Sequence, residues 1–294
     1  MSLFTHPLFR IVVRFLFYGT LIVGGLSLYV FIISIRPPRH VTGLTPSELG
    51  MEFEEVSITT DDDITLSAWF VPSERDSPNA VVICHGYPAD KGDVLSFADF
   101  LHEDFNLFFF DFRAMGRSGG KITSIGWKET EDFHAAVRYL KSRGMERIGA
   151  VGFSMGGAVI IMAEDENIDA IVAESAYSNL GDLIHLEYRK FGIFRHPFVY
   201  ATRLWGILFL GIDPARVSPE EHIGNITAPI LLIHSEKDSM IPAEHARALK
   251  EANPNAELWM LDAVDHGSAR LSGQGQYESR ILNFLRESLA KRED

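Results

Sequence analysis

Cysteine is nearly absent from this chain, since Cys84 is the single cysteine among 294 residues. One thiol excludes an intrachain disulfide but does not identify the compartment. Cys84 lies in the apolar run AVVICHG, where a buried, inert thiol is more common than a reactive one. The sequence also lacks clustered metal ligands and cofactor-binding fingerprints, so we expect neither a metal nor a cofactor.

Basic residues are scarce as well, with 27 Lys and Arg against 40 Asp and Glu and a formal net charge of -13. Nucleic-acid binding requires a basic face, so we expect no nucleic-acid partner. The 46% hydrophobic and 23% charged content is typical of a globular protein with a large core. The length suits a single α/β domain.

One long uncharged segment stands near the N-terminus, FLFYGTLIVGGLSLYVFIISI. It has about the length that a helix needs to cross roughly 30 Å of hydrocarbon. We therefore predict an N-terminal flank over 1–14, a transmembrane anchor over 15–36 and a linker over 37–50. A cleavable signal peptide is the alternative, but the run is long and ends in SIRPPRH, a poor cleavage site. Arginines flank both ends, and the free amine favours an inside N-terminus with the catalytic domain on the extracytoplasmic side.

Residues 51–294 have the pattern of one α/β domain. An opening hairpin is predicted from EFEEVSITT and ITLSAWFV, and short buried strands follow in AVVICHG, NLFFFDF, RIGAVGF, DAIVAES, PILLIHS and AELWMLDA. Amphipathic helices are predicted over 91–103, 127–143, 155–165, 243–252 and 275–291. Buried strands that alternate with helices indicate a mostly parallel sheet with helices on both faces.

The pattern G-x-S-x-G occurs in IGAVGFSMGG, between a predicted strand and a predicted helix. This setting favours Ser154 as a nucleophile on a sharp turn, with Gly152 and Gly156 allowing strand and helix to pass closely. A serine needs a base, and the base needs an orienting acid. Asp238 follows the strand PILLIHS, and His266 follows the last strand, so the chain order is Ser, Asp, His.

Other residues are weaker candidates for these roles. Glu174 ends the strand DAIVAES and is an alternative acid. Asp262 and Asp265 are too near His266 in sequence to be its favoured partner. His234 is expected to be packed within a strand, and His85 to order a loop.

An oxyanion hole requires two N–H donors. We expect them to be the backbone N–H of Met155, after the nucleophile, and that of Tyr87, in the loop after the third strand.

Five segments, HGYPADKG, DFRAMGRSGG, GFSMGG, HSEKDSMIP and VDHG, stand in the order seen in α/β-hydrolases. From about residue 50 onward the chain resembles membrane-anchored bacterial hydrolases related to the ABHD and serine aminopeptidase-like groups. The resemblance implies an α/β-hydrolase fold and a Ser154–His266–Asp238 triad. One departure is Ala114-Met115, where relatives often have Gly-His; Asp111 and Arg113 beside it are expected to form a structural ion pair.

The segment 177–225 is where such hydrolases insert a helical lid, and it contains FGIFRHPFVYATRLWGILFLG. Its aromatic residues either cover the sheet or form an acyl-binding or membrane-contacting surface. We expect a membrane-anchored serine hydrolase that cleaves an ester or thioester of an acyl or lipid-like substrate. A peptidase or amidase of the same fold and a non-catalytic interaction protein are the alternatives.

Overall fold

Eight short segments form the strands of one sheet. The computed structural model describes residues 7–262, 264–272 and 275–290. The strands are β1 (Glu54–Thr59), β2 (Thr65–Val71), β3 (Ala80–Cys84), β4 (Asn106–Phe110), β5 (Ile148–Phe153), β6 (Ala170–Glu174), β7 (Ile230–Ser235) and β8 (Glu257–Leu261). All eight lie within the segments that the sequence predicts to be strands.

Helices occupy most of the connections. They are α1 (Pro7–Ile35), α2 (Leu95–Ala98), α3 (Glu129–Ser142), α4 (Met155–Ala163), α5 (Leu180–Glu187), α6 (Arg195–Leu210), α7 (Pro219–His222), α8 (Glu244–Ala252), α9 (Ala269–Ser272) and α10 (Gln276–Leu289). The predicted helix over 91–103 is only two short turns, α2 and a 3-10 turn at Asp99–Leu101, because Ala98 has φ of -136° and interrupts it.

The strand order in the sheet is β1-β2-β4-β3-β5-β6-β7-β8. β2 pairs antiparallel with β1 and β4, and all the other pairs are parallel. Parallel strands place their carboxyl ends at one edge, where ligands bind in open α/β sheets. The loops after β5, β7 and β8, which carry Ser154, Asp238 and His266, therefore meet at that edge.

The core lies on both faces of the sheet. On one face, α2 and α10 bury Leu95, Ile281 and Leu285 against inward residues of the central strands such as Val81 and Val151. On the other, α4 packs against β5 and β6, and α3 packs against α4. All five residues of β3, β4 and β6 are buried, as expected for strands covered on both faces.

The chain divides into two compact units. The sheet unit consists of Arg36–Asn179 and Ser218–Asp294, and the helical unit consists of Met1–Ile35 and Leu180–Val217. The helical unit thus joins α1 to the insertion between β6 and β7, which contains α5 and α6. Helix α1 begins eight residues before the predicted anchor and ends before Arg36, as expected for a residue that precedes proline.

The predicted linker is docked on the sheet unit. The Arg39 guanidinium donates to the carbonyls of Gly116, Ser118 and Gly120. The Thr42 N–H donates to Asp90 Oδ2 at 2.8 Å. These hydrogen bonds hold the linker against two loops at the edge of the sheet that carries Ser154.

Candidate active site

Ser154 lies on a sharp turn between β5 and α4, the only residue between them. Its backbone has φ of 54° and ψ of -116°, a conformation that is costly for any residue other than glycine. The Ser154 N–H donates to the Glu174 carbonyl at 2.8 Å, which holds the turn against β6. The strained turn places the serine at the N-terminus of α4, where backbone N–H groups favour negative charge.

The two elbow glycines allow the close packing that this turn requires. A Cβ on Gly152 would lie 2.5 Å from the Gly157 nitrogen, and one on Gly156 would lie 2.3 Å from the Cys84 carbonyl oxygen. Both contacts are with backbone atoms of neighbouring elements, which cannot move away as a flexible side chain would. The sequence prediction for both glycines therefore has a steric explanation.

We expect Gly156→Ala to destabilise the protein by about 3 kcal/mol, because the added methyl overlaps the Cys84 carbonyl and forces α4 away from β3. Thermal unfolding in detergent measures this effect. Gly43→Ala is the matched control, since a Cβ at Gly43 has no atom within 4 Å. Equal melting temperatures for the two variants would contradict the steric role of Gly156.

The structure brings Ser154, His266 and Asp238 together. His266 Nε2 lies 3.2 Å from Ser154 Oγ, and His266 Nδ1 lies 2.7 Å from Asp238 Oδ2. The imidazole therefore bridges the hydroxyl and the carboxylate. The Phe153 ring packs on the imidazole with the ring centroids 4.8 Å apart, which limits its rotation. This arrangement can transfer a proton from the hydroxyl to the imidazole.

Asp238 is buried, and its carboxylate is held by several donors. Its Oδ1 accepts from the N–H groups of Met240 and Ile241, at 3.0 and 2.8 Å. Burial opposes ionisation, but the hydrogen bonds from His266 and Ile241 outweigh it and lower the pKa of this carboxyl. Asp238 is therefore ionised at neutral pH, the form that orients an imidazole and stabilises its charge.

The other candidate groups make different contacts. Asp265 accepts hydrogen bonds from the Ser239 hydroxyl and from the His266 backbone N–H rather than from the imidazole ring. His234 is buried, as expected, with Nε2 2.8 Å from the Ile241 carbonyl. The same nitrogen lies 3.8 Å from Asp238 Oδ2, and burial lowers the pKa of the His234 imidazole, so the imidazole is neutral. Asp262 is exposed at the end of β8.

The loop 85–92 passes beside Ser154. A Cβ on Gly86 would lie 3.3 Å from Ser154 Cβ, so this glycine permits the approach. The Phe112 N–H donates to His85 Nε2 at 3.0 Å, so Nδ1 carries the proton and donates to the Gly86 carbonyl at 2.7 Å. His85 thus orders the loop, as the sequence predicts.

A buried ion pair holds the far end of this loop. Lys91 Nζ donates to Asp111 Oδ2 at 2.7 Å, and the Lys91 N–H donates to Asp111 Oδ1 at 2.8 Å. Arg113 instead pairs with Asp62 and Asp132. The expected ion pair between Asp111 and Arg113 is therefore wrong. The fold brings Lys91 to Asp111, and it brings Asp62 and Asp132 to Arg113.

The departure at Ala114 also has a conformational consequence. Ala114 has φ of 62°, in the left-handed region that glycine adopts without strain. Gly116, two residues later, has φ of 47°, and a Cβ there would lie 2.3 Å from Asp111 Cγ. Position 116 therefore requires glycine, because a Cβ would overlap the Asp111 carboxyl. Position 114 tolerates alanine, because only its backbone angle is unfavourable.

Glu174 is a second buried carboxyl near these residues. Its Oε2 accepts from the Tyr277 hydroxyl at 2.6 Å, and its Oε1 has no hydrogen-bond partner among the described residues. Burial is the main cause that raises the pKa of Glu174 to about 7. Its side-chain hydrogen bond is to Tyr277 rather than His266, which favours Asp238 over Glu174 as the orienting acid.

The raised pKa of Glu174 makes stability depend on pH. In the unfolded chain the carboxyl ionises near pH 4.5, and in the folded chain near 7. Its contribution to stability is therefore complete below about pH 4.5 and is lost as the pH rises through 7. Relative to wild type, Glu174→Gln should gain melting temperature between pH 5 and pH 8.5. If the difference in melting temperature between Glu174→Gln and wild type is the same at pH 5 and at pH 8.5, the raised pKa is contradicted.

Sequence reasoning missed two of these residues. Tyr277 is one of several apolar-face residues of α10, and no local pattern distinguishes it. Lys91 lies in the motif HGYPADKG, but only the folded chain brings it beside Asp111.

Comparisons with known proteins agree with this fold. The model of the "Alpha/beta hydrolase family" matches residues 81–274. The uncharacterized protein YqkD of Bacillus subtilis is 29% identical over 72% of this chain and 72% of its own length. Protein bem46 of Schizosaccharomyces pombe is 26% identical over 67% of this chain and 64% of its own length.

A solved structure is similar over most of both chains. The Pyrococcus furiosus esterase Pf2001 has a TM-score of 0.72 and 32% identity, and the match covers 87% of this chain and 99% of the esterase. The bem46 similarity agrees with the expected ABHD-like grouping. The predicted fold class, with its eight-stranded, mostly parallel sheet, is confirmed.

Proposed function

Because this chain belongs to the alpha/beta hydrolase family, we propose that it is a membrane-attached serine hydrolase that cleaves an ester or thioester of a small acyl or lipid-like substrate. The observation that carries the proposal is the continuous hydrogen-bond path from Ser154 Oγ through His266 to Asp238. The similarity to an esterase supports hydrolytic activity.

In the proposed first half-reaction, Ser154 Oγ attacks the acyl carbonyl carbon while His266 Nε2 takes the hydroxyl proton. The Nδ1–H of the imidazolium keeps its hydrogen bond to the Asp238 carboxylate, whose negative charge stabilises the imidazolium. Collapse of the tetrahedral intermediate breaks the bond to the leaving group, which receives the proton from His266. The acyl group remains on Ser154.

Water completes the cycle in the second half-reaction. His266 takes a proton from a water molecule, the resulting hydroxide attacks the acyl-enzyme, and the proton returns to Ser154 Oγ as the acid leaves. The backbone N–H groups of Met155 and Tyr87 are proposed to hold the oxyanion in both halves. Support comes from Met155 at the start of α4 and from Gly86, which brings its loop against Ser154.

Membrane attachment is proposed through α1. This helix is long and apolar enough to cross a membrane, although a signal sequence passes the same test. An enzyme held at a bilayer encounters lipid-like substrates at high local concentration, which favours acyl esters over soluble peptides.

A substrate series tests the proposed reaction. The full chain in detergent is assayed with p-nitrophenyl esters of increasing acyl length and with amino-acid p-nitroanilides. We expect turnover of the esters, with kcat/KM rising beyond the shortest chains. Cleavage of the anilides alone would favour the peptidase alternative and contradict the ester preference.

A further inference from the structure

Helix α6 has an unusual outer face. Its buried residues are Phe198, Val199, Thr202 and Gly206. The opposite side carries a stripe at helical spacing that is 49% to 65% exposed, and we call it the α6 stripe: Tyr200, Leu204, Ile207 and Leu208. A surface helix of a water-soluble domain normally presents polar residues here. An apolar outer face therefore calls for an occupant other than water.

Helix α6 packs against α1 through two aromatic residues that follow stripe residues in sequence. Trp205 Nε1 donates to Ser27 Oγ at 3.0 Å, and the rings of Phe209 and Phe31 lie 5.9 Å apart. The second contact lies four residues after the first on both helices, so the two helices run parallel and side by side. Beside the contact, α1 exposes further large apolar side chains, including Ile22, Tyr29 and Ile33.

Charge separates the helical unit from the rest of the chain. The unit has seven basic residues and three acidic ones, a net charge of +4, whereas the whole chain carries -13. The basic residues are Arg10, Arg14, Arg189, Lys190, Arg195, Arg203 and Arg216. An apolar unit with a positive charge, within an acidic protein, is complementary to a bilayer with anionic headgroups.

The packing of α6 argues against a simple crossing of the bilayer by α1. In such a crossing Ser27 would lie about 3 Å from the midplane, because residue 25 is the centre of the 15–35 run. Arg203, two residues before Trp205, would then lie at a similar depth together with its partner Asp213. Charged groups at that depth are strongly disfavoured.

A single-leaflet arrangement avoids this cost. Arg203 lies about 100° around the helix from Leu204, so it flanks the α6 stripe and can reach the headgroups when the stripe faces the acyl chains. Helix α6 has 16 residues and is about 24 Å long, too short to cross roughly 30 Å of hydrocarbon by itself.

We propose that α1 and α6 form one membrane-binding unit that lies in a single leaflet of an anionic bilayer, with the α6 stripe against the acyl chains. This inference rests on the proposed membrane attachment and specifies its geometry. It replaces the single-pass anchor expected from the sequence with a helix pair that binds the membrane from one side.

Fluorescence quenching by lipid tests the contact. The full-length Leu208→Cys variant carries a thiol-reactive fluorophore and is bound to phosphatidylglycerol–phosphatidylcholine vesicles that contain a lipid with a nitroxide on its acyl chain. Ser142→Cys, at an exposed position of α3, is the matched control. The native Cys84 is fully buried, and the labelled wild-type chain measures its background.

We expect the nitroxide to quench the label at 208 by roughly half or more and to leave the label at 142 unchanged. Vesicles of phosphatidylcholine alone should bind at least about fivefold more weakly, the effect of about one basic residue near an anionic surface. Equal quenching at both positions, or none at 208, overturns the proposal. A dimer in detergent whose label at 208 is unquenched in vesicles would assign the α6 stripe to a second copy of the chain.

Terminal tags test the single leaflet. In sealed membrane vesicles of both orientations, added protease should remove N-terminal and C-terminal tags from the same vesicle type. If protease removes the two tags from vesicles of opposite orientation, α1 crosses the bilayer. That result overturns the single-leaflet arrangement but leaves membrane attachment in place. A chain that is found entirely in the soluble fraction would overturn the membrane attachment itself. Ester hydrolysis is measured independently of both results, so failure of the membrane proposal does not count against the proposed reaction.

Discussion

Replacing Ser154 by alanine is expected to lower kcat/KM for a p-nitrophenyl ester by about 10⁶-fold and to abolish labelling by a fluorophosphonate probe. The substitution removes only the Oγ atom, which lies 3.2 Å from His266 Nε2. The backbone N–H that bonds to the Glu174 carbonyl is retained, and alanine accepts φ of 54° no less readily than serine. Thermal unfolding should therefore be unchanged within a few degrees.

The control for this prediction is Ser142→Ala, which removes an exposed hydroxyl on α3. This variant should label and turn over as the wild-type chain does. Labelling that persists in Ser154→Ala would assign the nucleophile to another residue. A folded wild-type chain that neither labels nor hydrolyses any ester would favour the non-catalytic interaction protein.

Asp238→Asn is expected to lower kcat by about 10⁴-fold, whereas Glu174→Gln should lower it by less than about tenfold. An amide at position 238 can donate to His266 Nδ1 and stabilise the wrong tautomer, and it cannot stabilise the imidazolium by charge. Glu174 is hydrogen-bonded to Tyr277, so its loss alters the surrounding field but leaves the imidazole oriented.

The comparison of these two variants decides which carboxyl serves His266. Both replacements are isosteric and both remove a buried carboxyl, so their effects on folding and packing should be alike. Purified variants are compared by kcat at pH 8 with one ester substrate. A larger loss for Glu174→Gln than for Asp238→Asn would reverse the proposed assignment.

Most of the sheet could be predicted from local patterns. The opening hairpin alternates polar and apolar residues, each later strand is a short apolar run, and each long amphipathic segment after β4 is a helix. The exception is the region 91–103, where the pattern indicates one helix but the backbone at Ala98 interrupts it. One residue with non-helical backbone angles leaves the spacing of apolar residues unchanged, so the local pattern does not show the interruption.

Ion pairs were less predictable than strands. Asp111 and Arg113 are two residues apart, and their opposite charges suggest a pair, yet their partners are Lys91 in one case and Asp62 and Asp132 in the other. Both residues lie in the irregular segment after β4, where no regular spacing sets the direction of a side chain, so the choice of partner depends on which loops the fold brings near.

The amino-acid sequence by itself determined the strand order along the chain, the apolar N-terminal segment and the candidates Ser154, Asp238 and His266, because periodicity, charge and motif order are local properties. Only the tertiary structure decided that Asp238 rather than Glu174 bonds to His266, and that α1 packs against α6. Those contacts join residues 28 and 178 positions apart, and only the folded chain brings such distant residues together.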